Sequence, residues 1–233
     1  MELNNTVAFV TGANRGLGRA IVLALQAAGV KKIYGGARDP ASIDVPGVIA
    51  VQVDVTNDAQ VQAAAAACGD VNLVINNAGI ALRGSALTPN AVEEGAAMFN
   101  ANVLGIVRTA QAFAPILGKN GGGGIVNILS VASWTNNPAL SLYGASKSAA
   151  WAVTNGLRTN LAEQGTYVAG VHVGFIDTDL TEGIDLPKLR ADDVARIIVA
   201  GIAAGDVEII VDDISRKVKQ GLTDGIYLKP LQR

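Results

Sequence analysis

Cysteine and histidine are almost missing from this chain of 233 residues, which has one of each, Cys68 and His172. A single cysteine excludes an intrachain disulfide, and one cysteine with one histidine is too small a set for an ordinary zinc site. No pattern supports an Asp-rich magnesium site. Aromatic residues make up only 4% of the sequence. Small apolar residues take their place, and abundant Ala, Val, Ile and Gly suit helices lying closely over a buried parallel sheet. An excess of one charge is lacking too: 18 Lys and Arg stand against 20 Asp and Glu, and a net charge of −2 leaves no electrostatic footprint for nucleic acid. No apolar run is long enough to span a bilayer, and the first residues lack the basic start and apolar stretch of a signal peptide. The expectation is a soluble cytoplasmic protein, one domain over residues 1–233, with a sizeable core.

What is present is a tyrosine and a lysine four residues apart, in Tyr143-Gly144-Ala145-Ser146-Lys147. On a helix this spacing puts phenol and ammonium on one face, about 6 Å apart. A free phenol titrates near ~10, so it exchanges protons sluggishly at neutral pH, and a fixed cation is the direct way to lower that value. Lowering it by roughly 3 takes about 4 kcal/mol of differential stabilisation, within reach of a partly desolvated ammonium assisted by other positive charge.

The rest of the chain alternates strand and helix patterns. Residues 6–10 form a β-rich apolar run, followed at once by Thr11-Gly12-Ala13-Asn14-Arg15-Gly16-Leu17-Gly18 and a helical stretch over 19–28. Strand, glycine turn and helix together let backbone N–H groups approach a pyrophosphate at the positive end of the helix. Further strands are predicted over 32–36, 48–53, 71–75, 125–129, 166–173 and 207–211, and helices over 58–67 (capped by Asn57), 91–117, 143–163 and 191–204. The glycine run 121–124 precedes a strand rather than a helix, so it reads as a flexible turn and not a phosphate cradle. His172 lies inside a strand and reads as a packed structural residue rather than a base. No chemistry is assigned to the tail, 217–233.

Seven strands interleaved with helices give an α/β, Rossmann-like, doubly wound parallel sheet with helices on both faces, where ligands gather beyond the carboxyl ends of the strands. Thr11-Gly12-x-x-x-Gly16-x-Gly18, Asp54, Asn77-Ala78-Gly79, Asn102, Ser130, Tyr143-x-x-x-Lys147 and Ile176-x-Thr178 all sit there, in the right order. On these residues the chain resembles the short-chain dehydrogenase/reductase family over residues 3–212. The resemblance implies hydride transfer between a nicotinamide and a carbinol carbon without a metal, reversibly reducing a ketone or aldehyde. Tyr143 exchanges the proton, Ser130 bonds the substrate oxygen, Lys147 holds the nicotinamide ribose and lowers the phenol pKa, and Asn102 holds a water that links Lys147 to solvent. It further implies a cofactor cradle of Gly12, Asn14, Arg15, Gly16, Leu17 and Gly18, adenine contacts from Asp54 and Val55, a lining of Asn77, Ala78 and Gly79, and carboxamide contacts near Gly174, Ile176 and Thr178. Val131, Trp134, Leu140 and Phe175 are expected around an open substrate pocket.

The family commonly places proline before the glycine equivalent to Gly174, where this chain has Val173. That leaves the turn less restricted in φ. The usual glycine-rich ending is missing after Val211. A homodimer or homotetramer with small-molecule substrates, and no membrane or nucleic-acid partner, is the expected assembly. Two other readings are a non-catalytic dinucleotide sensor or scaffold, and a sugar-nucleotide epimerase. The first leaves the full set of Asn102, Ser130, Tyr143 and Lys147 without a purpose. The second wants a larger carboxyl-terminal domain than the residues after Val211 supply. For the cofactor, an NAD enzyme usually carries an acid after its second strand, and the residue aligned there is Ala37. Arg38 follows it and Arg15 lies in the glycine turn, so two guanidinium groups can converge on a 2′-phosphate, which favours NADP(H) while leaving NAD(H) possible. Asp39 leaves two alternatives open: it reaches the ribose, or it pairs with Arg38 at the surface.

Overall fold

The computed structural model describes residues 1–228. The end of the tail read over 217–233, residues 229–233, lies outside the described residues. In chain order the elements are β1 (Val7–Thr11), α1 (Gly16–Ala27), β2 (Lys32–Ala37), β3 (Ile49–Gln52), α2 (Asp58–Ala67), β4 (Leu73–Asn76), α3 (Ala91–Phe99), α4 (Gly105–Lys119), β5 (Gly124–Ile128), α5 (Ser141–Asn160), β6 (Tyr167–His172), β7 (Ile176–Asp177), β8 (Leu189–Arg190), α6 (Ala191–Ala204), β9 (Glu208–Ile210) and α7 (Asp213–Gln220). Seven strands make one parallel sheet in the order β3-β2-β1-β4-β5-β6-β9, with Val10 opposite Gly35 on one side and Ile75 on the other. Because the chain runs outward in both directions from β1 and β4, a crevice opens between their carboxyl ends.

Alternation along the central strands decides which helices cover which face. Ala8 and Val10 of β1 join Leu73 and Ile75 of β4 in a core closed by Ile21 and Leu25 of α1 and Ile198 and Ile202 of α6. Phe9 and Val74 point the other way, to Val61 of α2 and Phe113 and Leu117 of α4. The rings of Phe9 and Phe113 stand 4.8 Å apart between centroids. With both faces covered, the strands read as continuous apolar runs, which is why they were legible without a period-2 signal. The Asn57 side chain caps α2 by accepting from Gln60 N at 3.0 Å, as its position suggested.

Three features depart from the sequence reading. The single helix expected over 91–117 is two helices joined by a π-turn, Asn100–Leu104, in which Gly105 N returns five residues to Asn100 O. Residues 213–220, read as part of no element or as featureless tail, form α7. A two-stranded parallel pair, β7 with β8, follows β6. No helix among the described residues is long and apolar enough to cross a membrane.

Candidate active site

The glycine turn is shaped by close backbone approach. Gly12 and Gly16 have φ of 66° and 50°, the left-handed region that a side chain resists. A Cβ on Gly18 would lie 2.0 Å from Gly12 O and 2.5 Å from Asn77 Nδ2, so the first turn of α1 sits directly on the loop. Asn77 braces that loop, donating from Nδ2 to Thr11 O (3.0 Å) and Gly12 O (3.2 Å). The buried Thr11 hydroxyl accepts from the amides of Asn77 and Ala78, both at 3.0 Å. No side chain caps α1 at Arg15, so its first amides face the crevice unclaimed by any side-chain acceptor. Asn14 is half-buried, Leu17 is buried, and the exposed Arg15 pairs with Asp179 at 2.8 Å.

At the ends of β2 and β3, Ala37 is buried and Arg38 stands exposed beside it. Asp39 uses Oδ1 to accept Ala41 N at 3.0 Å and start the short helix Pro40–Ser42, and it makes no ion pair with Arg38 among the described residues. Asp54 Oδ1 accepts from Thr56 N (2.8 Å) and Thr56 Oγ1 (2.7 Å). Partial burial pulls the Asp54 carboxyl upward, but the Thr56 bonds, with Arg38 and Arg108 nearby, hold it below the usual carboxylate range. Val55 is wedged against α4, where a Cβ on Gly105 would meet Val55 Cγ2 at 3.0 Å.

Tyr143 and Lys147 share one face of α5, with Lys147 Nζ 5.9 Å from the phenol ring centroid. Ser130, the first residue past β5 but one, faces the phenol. Its Oγ accepts from Ala132 N at 3.1 Å and makes a long contact of 3.4 Å to Val173 O. Lys147 is buried and its ammonium donates to Ile128 O at 2.7 Å. Burial drives the Lys147 pKa down to about 8. The Tyr143 phenol is pushed up by burial, against a lowering hydrogen bond from Ser130. Burial is the dominant influence on the phenol, and the Lys147 ammonium is turned to a backbone carbonyl.

Asn102 lies on the π-turn and is buried. Its Oδ1 accepts Ile80 N at 2.8 Å, and its two amide hydrogens go to Ile80 O (2.9 Å) and Ser146 Oγ (3.0 Å). The side chain thus ties β4's exit to α5, and only the second lone pair of Oδ1 is left for the water that the resemblance implied. Gly79 is needed here, since a Cβ would come within 2.9 Å of Asn102 Oδ1.

The segment after β6 forms the other lip. Gly174 N donates to Asp212 Oδ2 at 2.6 Å, while Asp212 Oδ1 caps α7 through Ser215 N at 2.7 Å. A turn lacking proline at Val173 is thus held from outside, by the helix that the sequence reading missed. Ile176 is buried, and Thr181 Oγ1 bonds Ile176 O (2.5 Å) and Thr178 O (3.1 Å). Leu140 and Phe175 line a cavity of about 160 Å³ together with Arg83, Asn137, Ile184 and Leu186. Trp134, expected there, is instead buried against His172 with ring centroids 3.7 Å apart. Ser146 and Asp212 were not singled out. The first stands inside the Tyr143-x-x-x-Lys147 motif, and an Asp-Asp pair ahead of Ser215 was the available signal for the second.

The family model for short chain dehydrogenases matches residues 6–188. An uncharacterised oxidoreductase of Staphylococcus haemolyticus is 32% identical over 85% of this chain and 91% of its own length. This chain belongs to the short-chain dehydrogenase family. Within the family, a short-chain dehydrogenase of Burkholderia cenocepacia in complex with NADP superposes with a TM-score of 0.94 at 32% identity, covering both chains fully. A short-chain dehydrogenase/reductase of Burkholderia phymatum in complex with NAD gives 0.86 at 28% identity, again over both whole chains. The chain is thus an oxidoreductase of this family, and its relatives bind nicotinamide dinucleotides of both kinds.

Proposed function

We propose that the protein reversibly reduces a ketone or aldehyde to an alcohol, with NADPH as the preferred cofactor and Tyr143 as the proton donor. The observation that carries this reading is the half-buried phenol facing Ser130 with Lys147 beneath it, at the mouth of the crevice. The uncapped start of α1 above Gly12 and Gly16 fits a pyrophosphate, which would accept from amides that no side chain claims. Asp54 and Val55 would flank the adenine, Asn77, Ala78 and Gly79 would line the cofactor, and Gly174, Ile176 and Thr178 would hold the carboxamide.

When bound, a nicotinamide dinucleotide supplies or accepts the hydride. The protein's own residues manage the proton. A phenol pushed up by burial is held protonated at neutral pH, the form that reduction needs. Ser130 Oγ exchanges its long contact with Val173 O for the substrate oxygen at little cost. Lys147, fixed by one hydrogen to Ile128 O, has two more to offer to ribose hydroxyls and to the developing phenolate. Asn102 keeps α5 at the right height by joining Ile80 to Ser146.

The cofactor choice rests on charge. Ala37 offers no acid to ribose hydroxyls, Asp39 is engaged with Ala41 N, and Arg38 is exposed. Arg15 turns from Asp179 to a 2′-phosphate at small cost, because an exposed ion pair of this kind is worth at most about 1 kcal/mol.

Assaying a panel of carbonyl compounds by loss of nicotinamide absorbance tests the reading. Tyr143→Phe should keep NADPH binding and lose at least about 10²-fold in turnover. Near wild-type turnover would overturn the mechanism. In Arg15→Ala/Arg38→Ala, kcat/KM with NADPH should fall at least about tenfold while that with NADH changes little. An equal fall with both cofactors would overturn the preference.

A further inference from the structure

His172 is the chain's one histidine, and it has no exposed surface. Its ring does two things at once. Nδ1 lies 3.1 Å from Ser130 O, and since a carbonyl only accepts, the proton is on Nδ1. The flat of the ring stacks on Trp134, with centroids 3.7 Å apart and planes 14° from parallel. Ser130 and Trp134 are the two flanks of the short helix Val131–Ser133. One imidazole therefore pins both ends of the turn that carries Ser130.

The rest of the ring's surroundings agree with a neutral Nδ1–H form. Nε2 has no hydrogen-bond partner. Glu208 Oε1 is 3.9 Å away, and Glu208 is itself held by Lys219 of α7. Burial, with the charges of Lys219 and Lys147, drives the imidazole pKa down to about 4, partly offset by the bond to Ser130 O. A strand histidine needed only for packing could be apolar, since Nε2 is left unpaired at a cost of about 1–3 kcal/mol. Something must be gained in return.

We infer that His172 is a positioning residue for Ser130, its Nδ1–H fixing the Ser130 carbonyl and thereby the direction in which Ser130 Oγ faces the substrate oxygen. The ladder between β5 and β6 supports the turn on its other side, through Leu129 N to Val171 O (2.8 Å) and Val131 N to Val173 O (2.9 Å). Ser130 O also accepts from Ser133 N at 3.0 Å, and the histidine bond is the one side-chain tie on that carbonyl. The inference rests on the role proposed above for Ser130.

Four variants and one spectrum test it. His172→Phe keeps ring and stack but removes the donor. His172→Asn keeps a donor near the Nδ1 position and removes the ring. Positioning predicts that His172→Phe lowers kcat about tenfold with the NADPH Kd unchanged, and that His172→Asn recovers most of that loss even though it melts at a lower temperature. A packing role predicts the reverse order, with turnover following melting temperature, and that result would overturn the inference. In a Ser130→Ala background, His172→Phe should cause no further loss, because it acts through Ser130. If Ser130→Ala is slow while His172→Phe alone is as fast as wild type, the inference fails and the proposed reaction stands. If Ser130→Ala has wild-type turnover, both fall. With a single histidine, ¹⁵N-histidine labelling of the untagged protein gives one imidazole spin system, which should show a slowly exchanging proton on Nδ1 at pH 7. A proton on Nε2 alone would remove the bond on which the inference stands, whatever the substrate.

Discussion

The two lips of the crevice are built in opposite ways. On the β1 side backbone packs directly on backbone: Gly18 has no room for a methyl group beside Gly12 O, and Thr11 and Asn77 lock the loop with four hydrogen bonds. On the β6 side the contacts are made by side chains. Asp212 holds Gly174 N, Arg15 reaches across to Asp179, and Leu180 and Leu186 stay about half exposed. In the function proposed above, the tight lip is the one that would hold the dinucleotide. The loose lip borders the cavity of Leu140 and Phe175.

The sharpest way to break that contrast is a methyl group on each lip. Gly18→Ala should cost about 3 kcal/mol or more in urea unfolding, since backbone and not a flexible side-chain tip is in the way. Gly183→Ala should cost only about 1–2 kcal/mol, for its φ of 68°, because the nearest atom is the tip of Arg83 at 3.8 Å. Equal losses would erase the difference between the lips.

Between the lips, the buried Lys147 gives a pH signature. Its folded pKa of about 8 lies below the ordinary 10.5, so between those values the unfolded chain binds the proton and the folded chain does not. The Lys147 contribution to stability of the cofactor-free protein should therefore rise with pH through this window, by up to roughly 3 kcal/mol, against an opposite contribution above pH 9 from Cys68, whose thiol is pushed by burial up to about 12. The charged form is the costly one, and below pH 8 the folded protein bears that cost in full. Lys147→Met should flatten the rise, as measured by urea unfolding at pH 7.5 and pH 10. A wild-type curve no steeper than that of the variant would mean that the ammonium is not desolvated.

The smallest effect concerns the loose lip alone. Asp212→Ala removes the cap of α7 and the acceptor for Gly174 N, and should cost about 1–2 kcal/mol. Hydrogen exchange should then quicken at residues 174–181 and leave the glycine turn unchanged. If both lips loosen together, they are one cooperative unit and the comparison fails.

The tight lip was the more legible in sequence for the same reason that it is tight. Close backbone approach demands glycine and small polar residues at fixed places, so Thr11 to Gly18 and Asn77 to Gly79 announce themselves. The central strands were legible because burial on both faces makes each a compact apolar run, while the edge strand β3 is mostly exposed and was read from its β-branched residues. The loose lip depends on Asp212, 38 residues beyond Gly174, and on a helix with only Ser215 and Val218 buried, too polar to show an apolar stripe. β7 and β8 have two residues each, below what any pattern can mark. The direction of the Lys147 ammonium was not legible either, since nothing in Tyr-x-x-x-Lys tells whether the phenol or Ile128 O receives it. Trp134 was placed by its strand end, and only the fold reveals that a histidine one strand away would stack on it.

The π-turn at Asn100–Leu104 can be regarded as one residue of slack in a helical rod. Deleting a single residue there would leave a regular helix of nearly the same composition, and by side-chain chemistry alone the change would look harmless. It would also swing α3 by about 100° around the shared axis, because each helical residue advances that far. Ala91, Gly95 and Met98 would leave the core, while α4 kept its grip through Phe113 and Leu117. Spacing between Met98 and Thr109 is thus a constraint apart from the identity of any residue in between. A substitution in that interval is felt where it is made, whereas a change of length by one is felt at both ends of the rod.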